Sequence, residues 1–436
     1  MWPAILRAGK NLLLFIIDHF RDPSSPTAKQ NGGAGQSPNK LLMESTVHSP
    51  NHFTPGGLRG FRFLTALALL PCMWALSKQA RAGAGPTSRQ IDAIFSPLIS
   101  QQDPGLAVLV RKDGRTTFER GYGRRDLRSG QPIDAHTNFR LASCTKQFTA
   151  LAIMLLVRDG KLHLDDRLTE FFPEFPAYGR AITIRNLLNH TSGLAAYEDL
   201  MDKEYAGRYW DAIPQISDAG VLALMEQQTA TQFPPGTHWE YSNSGYCVLA
   251  KVVEKVSGTA FADFLRQRIF APLNMRTTVA YEYGKNRVTH RAYGYTQDAG
   301  VWLETDQSPT SATLGDGGIY SSLDDLIKWD DAIRHHTLLS EAAMRPAITP
   351  VVLPEDSKYG PKGPDGEPVS YGFGWFLNPY RGHRRMWHSG ESIGFRTVIE
   401  RFPDDGLTIV FLANRTDLDP AALALRIARL YFPLPR

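Results

Sequence analysis

The stretch SCTKQFTALAIMLLV, residues 143–157, decides what kind of protein this sequence can form. From Phe148 onward it is apolar almost all round, which is typical of a helix buried in the middle of a protein. Ser143 and Lys146 stand at the start of this predicted helix. Three residues are about one helical turn, so we expect the Lys146 ammonium to reach the Ser143 hydroxyl. A serine at a helix start also lies where free N–H groups and the helix dipole favour developing negative charge, as a nucleophile requires.

Ser-x-x-Lys alone is a weak signal, because it arises by chance in long sequences and Ser143 could simply be a helix cap. The Tyr-Ser-Asn sequence at 241–243 strengthens it, since it joins a Pro-Pro-Gly-Thr turn to a predicted helix at 244–256. A tyrosine has a reference pKa of about 10. We expect the Lys146 ammonium to lower the pKa of Tyr241 by favouring the phenolate. The alternative is a buried aromatic residue with a satisfied hydroxyl.

A third pattern, His388-Ser389-Gly390, follows a tryptophan at a predicted strand end. Gly390 would let a substrate lie close to the backbone, and the following N–H, at Glu391, could donate to an oxyanion. The alternative for His388 is an exposed or hydrogen-bonded strand histidine.

Strands are predicted at both ends of the chain and helices between them. The predicted strands lie at 106–110, 116–121, 371–377, 396–402 and 407–412, with an Asp-Gly hairpin signal between the first two. A closing helix is predicted from Pro420, with Asp419 as its cap. The pattern therefore predicts an α/β (α+β) fold, in which helices flank a largely antiparallel sheet and a mostly helical region is inserted at about 160–310.

The chain has 436 residues and a net charge of +4, but the positive charge lies at the front. Residues 1–82 carry +6 and the remaining 354 carry −2. Segment 57–82 has a charged start, a short apolar run and an Ala-x-Ala end, which predicts a signal peptide. Its apolar run of fourteen residues is short for a transmembrane helix, although an uncleaved anchor is the alternative. Residues 1–56 stay unassigned, either as a disordered extension or as sequence upstream of the true start.

These observations predict an exported protein, periplasmic or secreted, whose domain occupies residues 83–436. We expect no stable membrane span after signal cleavage. The charge of the domain also argues against a nucleic-acid partner. Cys144 and Cys247 remain after the leader and allow at most one disulfide. Because C-x-x-C and H-E-x-x-H spacings are missing, no metal site is expected. We expect a monomer that acts on a small molecule or peptide.

The three patterns together, in this order, resemble the serine β-lactamase and penicillin-binding protein family. The branch resembled comprises class C β-lactamases, D-Ala-D-Ala carboxypeptidases, D-aminopeptidases and related esterases. Four further segments look like this branch: LLNHTSGL at 187–194, PPGTHWEYSNSGY at 234–246, GGIYSSLDD at 317–325 and YGFGW at 371–375. The resemblance covers about residues 88–432 and implies a β-lactamase/transpeptidase-like fold.

The resemblance also implies a serine hydrolase of small amide or ester substrates that needs no cofactor. Ser143 would be acylated, with Lys146 and Tyr241 moving its proton. The N–H groups of Ser143 and Glu391 would form the oxyanion hole. Asn243 would bind the substrate's amide or carbonyl oxygen and help to fix Lys146. The other implied substrate-binding residues are His388, Ser389 and Gly390.

One departure from the family narrows the expected substrates. Class C β-lactamases have Lys where this chain has His388, whose reference pKa of about 6.5 leaves it largely neutral at pH 7. A permanent cation for a substrate carboxylate is therefore missing, and Glu391 would add negative charge if it pointed inward. Peptidase or esterase action is favoured over efficient β-lactamase action. The alternative is a penicillin-binding or regulatory protein that acylates with little turnover.

Ser392 and Cys144 are two other candidate nucleophiles, and their positions in the sequence argue against both. Residues 390–394 fit Gly-x-Ser-x-Gly, the nucleophile elbow of α/β-hydrolases, but that elbow needs a helix after Ser392, where a strand is predicted. Cys144 follows Ser143 directly, so a helix would turn it about 100° away. We therefore expect Cys144 to be a packed residue.

Overall fold

A large antiparallel sheet, made of strands from both ends of the chain, forms the centre of the molecule. The computed structural model describes residues 86–209, 212–354 and 368–433. Its strands are β1 (Leu106–Lys112), β2 (Arg115–Tyr122), β3 (Arg124–Asp126), β4 (Gln131–Pro132), β5 (Phe139–Arg140), β6 (Val279–Ala280), β7 (Tyr295–Asp298), β8 (Val301–Glu304), β9 (Ile319–Ser321), β10 (Ser370–Tyr371), β11 (Phe376–Leu377), β12 (Met386–Ser392), β13 (Phe395–Phe402) and β14 (Leu407–Ala413). Seven of them form the main sheet in the order β10-β11-β12-β13-β14-β1-β2.

The first long strand, β1, lies between the last strand and its own hairpin partner. Leu106 pairs with Ala413 of β14 on one side and with Tyr122 of β2 on the other, both antiparallel. Asp113 and Gly114 turn the hairpin with φ values of 52° and 76°, as a primed two-residue turn requires. The expectation of an antiparallel sheet built from both chain ends is confirmed.

The apolar run of β1 is explained by helices on both faces of the sheet. Leu106, Val108 and Val110 pack in one cluster with side chains of the first and last helices, whereas Ala107 and Leu109 face the cluster that contains the central helix. Because both faces are buried, the strand is apolar throughout instead of alternating. The helices are α1 (Ser88–Phe95), α2 (Lys146–Arg158), α3 (Leu168–Phe171), α4 (Ile184–Leu188), α5 (Tyr197–Glu204), α6 (Asp218–Glu226), α7 (Asn243–Ser257), α8 (Phe261–Leu265), α9 (Leu323–Arg334), α10 (Glu341–Met344) and α11 (Pro420–Tyr431).

Two helices form where the sequence predicts them. The buried helix α2 begins at Lys146 after a 3-10 turn at Ala142–Thr145, and all but its last two residues are buried. The closing helix α11 begins at Pro420, and the Asp419 side chain accepts a hydrogen bond from Ala422 N. Between α2 and β9 most of the regular elements are helices, α3 to α8, but this part of the chain also carries the small strands β6, β7 and β8.

The single strand predicted at 371–377 is wrong in its extent. The chain folds there into two short strands, β10 and β11, that pair with each other antiparallel. Gly374 lies between them with a φ of 76°, and a Cβ there would press against the backbone of Lys146 and Gln147. The turn therefore brings this segment against the start of α2, which an uninterrupted strand could not do.

Residues 85–436 form one compact unit. The predicted signal peptide at 57–82 and the extension at 1–56 lie outside the described residues. None of the helices in the described ranges combines the length and the hydropathy needed to cross a bilayer.

Candidate active site

Ser143 lies in the 3-10 turn that leads into α2. The residue before it, Ala142, has a φ of 47°, a left-handed conformation that costs a non-glycine residue free energy. Two hydrogen bonds hold Leu141, the residue before Ala142. Leu141 N donates to Ile319 O at 2.8 Å, and Thr397 Oγ1 donates to Leu141 O at 2.8 Å. These bonds fix the backbone that carries Ser143. Because Ser143 is partly exposed, a substrate can reach its hydroxyl.

Lys146 is buried beside Ser143 and makes three polar contacts. Its Nζ lies 3.1 Å from Ser143 Oγ, 2.7 Å from Asn243 Oδ1 and 3.0 Å from Asp316 O. Burial lowers the pKa of Lys146 to about 8, and the Asp316 carboxylate opposes part of that change. The expected contact between Lys146 and Ser143 is confirmed, and so is the contact by which Asn243 holds the lysine.

Tyr241 lies next to both groups, at the start of α7. Ser242 caps this helix, because its Oγ accepts a hydrogen bond from Gly245 N at 3.1 Å. The ring centre of Tyr241 is 4.9 Å from Lys146 Nζ. Its Oη makes no hydrogen bond to any described residue, although the Ser143 hydroxyl is near enough to influence it.

The expectation that Lys146 would lower the pKa of Tyr241 is wrong. Burial raises the pKa of Tyr241 well above its ordinary value, and the Ser143 hydroxyl offsets only part of that rise. The reason is that removal of the phenol from water penalises the phenolate more than its neighbours stabilise it. Tyr241 is therefore a protonated phenol at neutral pH.

His388 is buried in β12 with both ring nitrogens occupied. Its Nδ1 lies 2.6 Å from Ser389 O, which can only accept, so Nδ1 carries the proton. Its Nε2, 2.9 Å away from Tyr371 Oη, then accepts from that hydroxyl. Burial, followed by the charge of Lys146, lowers the pKa of His388 to about 3. The ring is neutral, as expected, and its hydrogen bonds are made within the protein.

Gly390 allows a close approach, but of the chain to itself. A Cβ at this position would collide with Leu141 O and with Thr397 Oγ1. The missing side chain therefore lets β12 pack against the segment that precedes Ser143. In the described structure the close approach expected for a substrate is thus made by the protein backbone.

Glu391 and Ser392 lie at the end of β12, next to Gly390. The Glu391 carboxylate lies 3.8 Å from the guanidinium of Arg396 and is about one-third exposed. Ser392 ends β12, and β13 begins at Phe395, so the nucleophile elbow is excluded because a strand follows it.

Cys144 is packed, as expected. Its Sγ donates to His388 O at 3.0 Å, and burial raises the pKa of its thiol to about 12. A thiolate is therefore strongly disfavoured beside the Ser143 hydroxyl.

Three site residues were not identified from the sequence. Glu198 Oε1 accepts from Asn243 Nδ2 at 2.6 Å, and burial raises the pKa of this carboxyl group to about 7. Asp316 supplies the carbonyl that Lys146 contacts. The ring of buried His190 packs against that of Tyr241, with the ring centres 4.4 Å apart and the planes tilted by 39°. His190 stands in the 187–194 segment and Asp316 directly precedes the 317–325 segment, so proximity to these segments was the available signal.

One group of side chains in the described ranges has the composition of a metal site. Potential ligand atoms of Asp218, Cys247 and Asp316 lie within 4.8 Å of one another, and all three residues are buried. Asp218 already accepts hydrogen bonds from Leu314 N and Gly315 N through its two oxygens.

Comparison with known proteins places this geometry in context. The model of the Beta-lactamase family matches residues 91–431. Penicillin-binding protein 4* of Bacillus subtilis is 33% identical over 345 residues, which cover 76% of this chain and 72% of that protein. A D-aminopeptidase of Cereibacter sphaeroides is 29% identical over 353 residues, covering 80% of this chain and 63% of that protein.

A solved structure supports the same relationship. D-amino acid amidase from Ochrobactrum anthropi, complexed with L-phenylalanine amide, superposes with a TM-score of 0.64 and is 25% identical. The match covers 79% of this chain and 97% of that structure.

Proposed function

This chain belongs to the β-lactamase family, and we propose that it is a serine hydrolase that forms an acyl-enzyme on Ser143. Its proposed substrates are small amides, with esters as a second class. The observation that carries the proposal is the set of three contacts made by the buried Lys146 amine.

These contacts suit a neutral amine. Asn243 Oδ1 and Asp316 O can only accept hydrogen bonds, whereas the Ser143 hydroxyl can donate one. A neutral amine has two N–H donors and one lone pair, so it can donate to both carbonyl oxygens and accept from Ser143. With a pKa of about 8, Lys146 is neutral in a useful fraction of molecules near neutral pH.

The reaction begins when Ser143 Oγ bonds to the substrate carbonyl carbon and its proton passes to Lys146 Nζ. The carbon–nitrogen bond then breaks, and the Tyr241 hydroxyl donates a proton to the leaving amine while Lys146 reprotonates Tyr241. The raised pKa of Tyr241 keeps its hydroxyl protonated at neutral pH, so the proton is present when the amine leaves. Water adds to the acyl-Ser143 ester and gives a proton to Lys146, which returns it to Ser143 Oγ as the acid leaves.

The charges near Ser143 favour amides over substrates that carry a carboxylate. Glu198 and Asp316 place carboxyl groups around Lys146, and His388 is neutral. A bound β-lactam or peptide carboxylate would therefore find no free cation among the predicted site residues. The names of a D-aminopeptidase and a D-amino acid amidase among the relatives agree with amide substrates.

The test compares hydrolysis of D- and L-amino acid amides, p-nitrophenyl esters, D-Ala-D-Ala peptides and a cephalosporin. We expect amide and ester turnover by the wild type and a loss of at least about 10³-fold in Ser143→Ala. Ser392→Ala is the matched control, because it removes the serine of the excluded elbow and should keep the wild-type rate. Equal rates for the wild type and Ser143→Ala would overturn the proposal.

A penicillin-binding protein that acylates with little turnover is the second candidate. The likeness to penicillin-binding protein 4* favours it. A fluorescent penicillin would then label Ser143 for hours while every amide and ester in the panel stayed intact. Release of the label together with amide turnover would favour the hydrolase instead.

Export is also part of the proposal. Segment 57–82 has the order of charge, apolar run and small residues that is typical of a signal peptide. The mature enzyme would then act outside the cytoplasm, in the periplasm or as a secreted protein.

A further inference from the structure

Two buried carboxyl groups lie beside Lys146 that the proposed reaction does not use. Asp218, at the start of α6, and Asp316, before β9, are each only 6% exposed. Their nearest potential ligand atoms lie within 4.8 Å of each other. Asp316 also contacts Lys146 directly through its backbone carbonyl, at 3.0 Å.

The hydrogen bonds of the two carboxyl groups are unequal. Asp218 Oδ2 accepts from Leu314 N at 2.9 Å, and its Oδ1 accepts from Gly315 N at 3.0 Å. Asp316 Oδ2 accepts from the Tyr197 hydroxyl at 3.2 Å. Asp316 Oδ1 has no hydrogen-bond partner among the described residues.

The two carboxyl groups influence each other through their charge. Because they lie within 4.8 Å of each other in a dry interior, the negative charge of Asp316 makes the ionised form of Asp218 less favourable. Burial, followed by the charge of Asp316, raises the pKa of Asp218 to about 7. Asp218 therefore keeps its proton in a large fraction of molecules at neutral pH.

Cys247 lies in the same group of potential ligands, and its chemistry argues against a metal ion there. The pKa of the Cys247 thiol lies well above its ordinary value because of burial, so this sulfur is a poor thiolate ligand. Both oxygens of Asp218 are already bound by backbone N–H groups. Only Asp316 Oδ1 remains open.

We propose that Asp218 and Asp316 form a charge-coupled carboxyl pair whose negative charge, together with the Asp316 carbonyl, positions the Lys146 amine against Ser143. Both are positioning residues, because they act through Lys146 and do not contact Ser143. The inference rests on the proposed function in one respect, namely that Lys146 is the base.

Other titratable groups also face Lys146, and their contributions must be separated from that of the pair. They come from the 3-10 turn, α5, the start and body of α7, β12 and the segment after α4, and they are Cys144, Glu198, Tyr241, Tyr246, Cys247, His388 and His190. Asp316 is the nearby charge that acts most strongly on Lys146. Substitution of Asp218 and Asp316 leaves all seven unchanged.

The first measurement follows the aspartate carboxyl carbons by NMR in full-length protein labelled with [4-¹³C]aspartate. We expect one carbon to titrate near pH 7 in the wild type. This titration should be absent from Asp218→Asn and should move to lower pH in Asp316→Asn, since loss of the neighbouring charge removes part of the rise in the Asp218 pKa. An unchanged midpoint in Asp316→Asn would show that burial of Asp218 alone explains the titration and that the coupling is wrong. Stoichiometric metal in the purified wild type, with a chelator mimicking the variants, would also overturn the proposal.

The second measurement follows Lys146 itself, through its ε-carbon resonance and the acid limb of the pH profile of kcat/KM. The double variant Asp218→Asn/Asp316→Asn should lower both midpoints by about one to three pH units, because the charge that favours the ammonium is lost. Each single variant should lower them less. Unmoved midpoints in the double variant would show that the pair does not act on Lys146.

Asp330→Asn is the control for the loss of a buried carboxylate. Asp330 pairs with Arg111 and Arg401 and does not face Lys146, so its variant should be destabilised without a change in either midpoint. The NMR titration needs no turnover, so it reads out the pair even if no substrate is hydrolysed. An absence of hydrolysis with an intact Lys146 shift would defeat the proposed function and leave the positioning role standing.

Discussion

At the scale of single residues, the proposed chemistry depends on the environment of Lys146. The amine is removed from water and held by two carbonyl oxygens and one hydroxyl. Burial makes the ammonium less favourable, and this brings its pKa from 10.5 down to about 8. A lysine that would be a cation on the surface thus becomes available as a base.

The pH dependence of kcat/KM should report this shift. Because the folded-state pKa lies below the ordinary value, the neutral amine is populated at lower pH than for a free lysine. We expect kcat/KM for an uncharged ester to rise with pH to a plateau, with a midpoint near the Lys146 value of about 8. The pKa of His388, about 3, means that no limb between pH 5 and 7 should come from that residue. A profile that is flat from pH 6 to pH 9 would contradict the role of Lys146.

Tyr241→Phe should separate catalysis from stability. The Tyr241 hydroxyl has no hydrogen bond to the described residues, so its removal should leave the free energy of unfolding unchanged or slightly increased. Activity should fall by about 10²-fold or more, because the proton donor is lost. Kinetics and urea unfolding on the same preparation provide the check.

Tyr246→Phe is the matched comparison for stability. Its hydroxyl donates to Leu188 O at 2.8 Å, so this change should lower the free energy of unfolding by about 1 kcal/mol. Wild-type turnover in Tyr241→Phe would mean that the Tyr241 hydroxyl has no chemical role.

The residue scale also shows what local sequence can predict. Ser143 and Lys146 are three positions apart on one turn, so their contact follows from helix geometry alone. Glu198 and Asp316 join the site from distant parts of the chain, and no spacing rule relates them to Ser143. The pKa of Tyr241 was predicted to fall, whereas burial raises it. Burial depends on distant parts of the chain, which the sequence neighbours of Tyr241 do not reveal.

At the scale of elements, the contact between β12 and the turn before α2 fixes the position of Ser143. Gly390 lets the two backbones approach, and Thr397 of β13 holds the carbonyl of Leu141. The sheet and the helix that carries Lys146 are joined here. A change in this contact should therefore move Ser143 relative to the other site residues.

Gly390→Ala should show this directly. The added methyl group would collide with Leu141 O and Thr397 Oγ1, so we expect a loss of about 1–3 kcal/mol in the free energy of unfolding, with a large loss of activity. Gly317→Ala is the control for stability, since its Cβ would meet Ala142 at 3.7 Å, an ordinary contact. Equal unfolding free energies for the two variants would refute this account of Gly390.

The strands themselves were largely predictable, and the exceptions have a physical cause. The Asp113-Gly114 turn and the apolar run of β1 indicate their conformation locally. The break between β10 and β11 does not follow from the apolar pattern of 371–377. It arises because Gly374 packs against the backbone at the start of α2, a contact between segments more than 200 residues apart.

At the scale of the whole molecule, charge divides the chain into two parts. Residues 1–82 carry +6, and residues 83–436, which contain the entire described fold, carry −2. The overall basicity therefore gives no indication of a polyanionic partner for the folded unit. The matched family region, 91–431, lies wholly within that second part.

The proposed leader makes a prediction about the mature protein. When the full chain is expressed in a host with a Sec pathway, N-terminal sequencing of the exported protein should find a start near Gly83, after the Ala-x-Ala sequence. Deletion of residues 57–82 should keep the protein in the cytoplasm. An intact N-terminus in the membrane fraction would identify the segment as an uncleaved anchor instead.

The most direct test of the central claim is the mass of the enzyme during turnover. The wild type is mixed with an activated p-nitrophenyl ester and quenched in acid, and intact-protein and peptide mass spectrometry follow. We predict a mass increase equal to the acyl group, located on the peptide that contains Ser143, present in Ser392→Ala and absent from Ser143→Ala. The same adduct in Ser143→Ala, or an adduct on another residue of the wild type, would contradict an acyl-enzyme on Ser143.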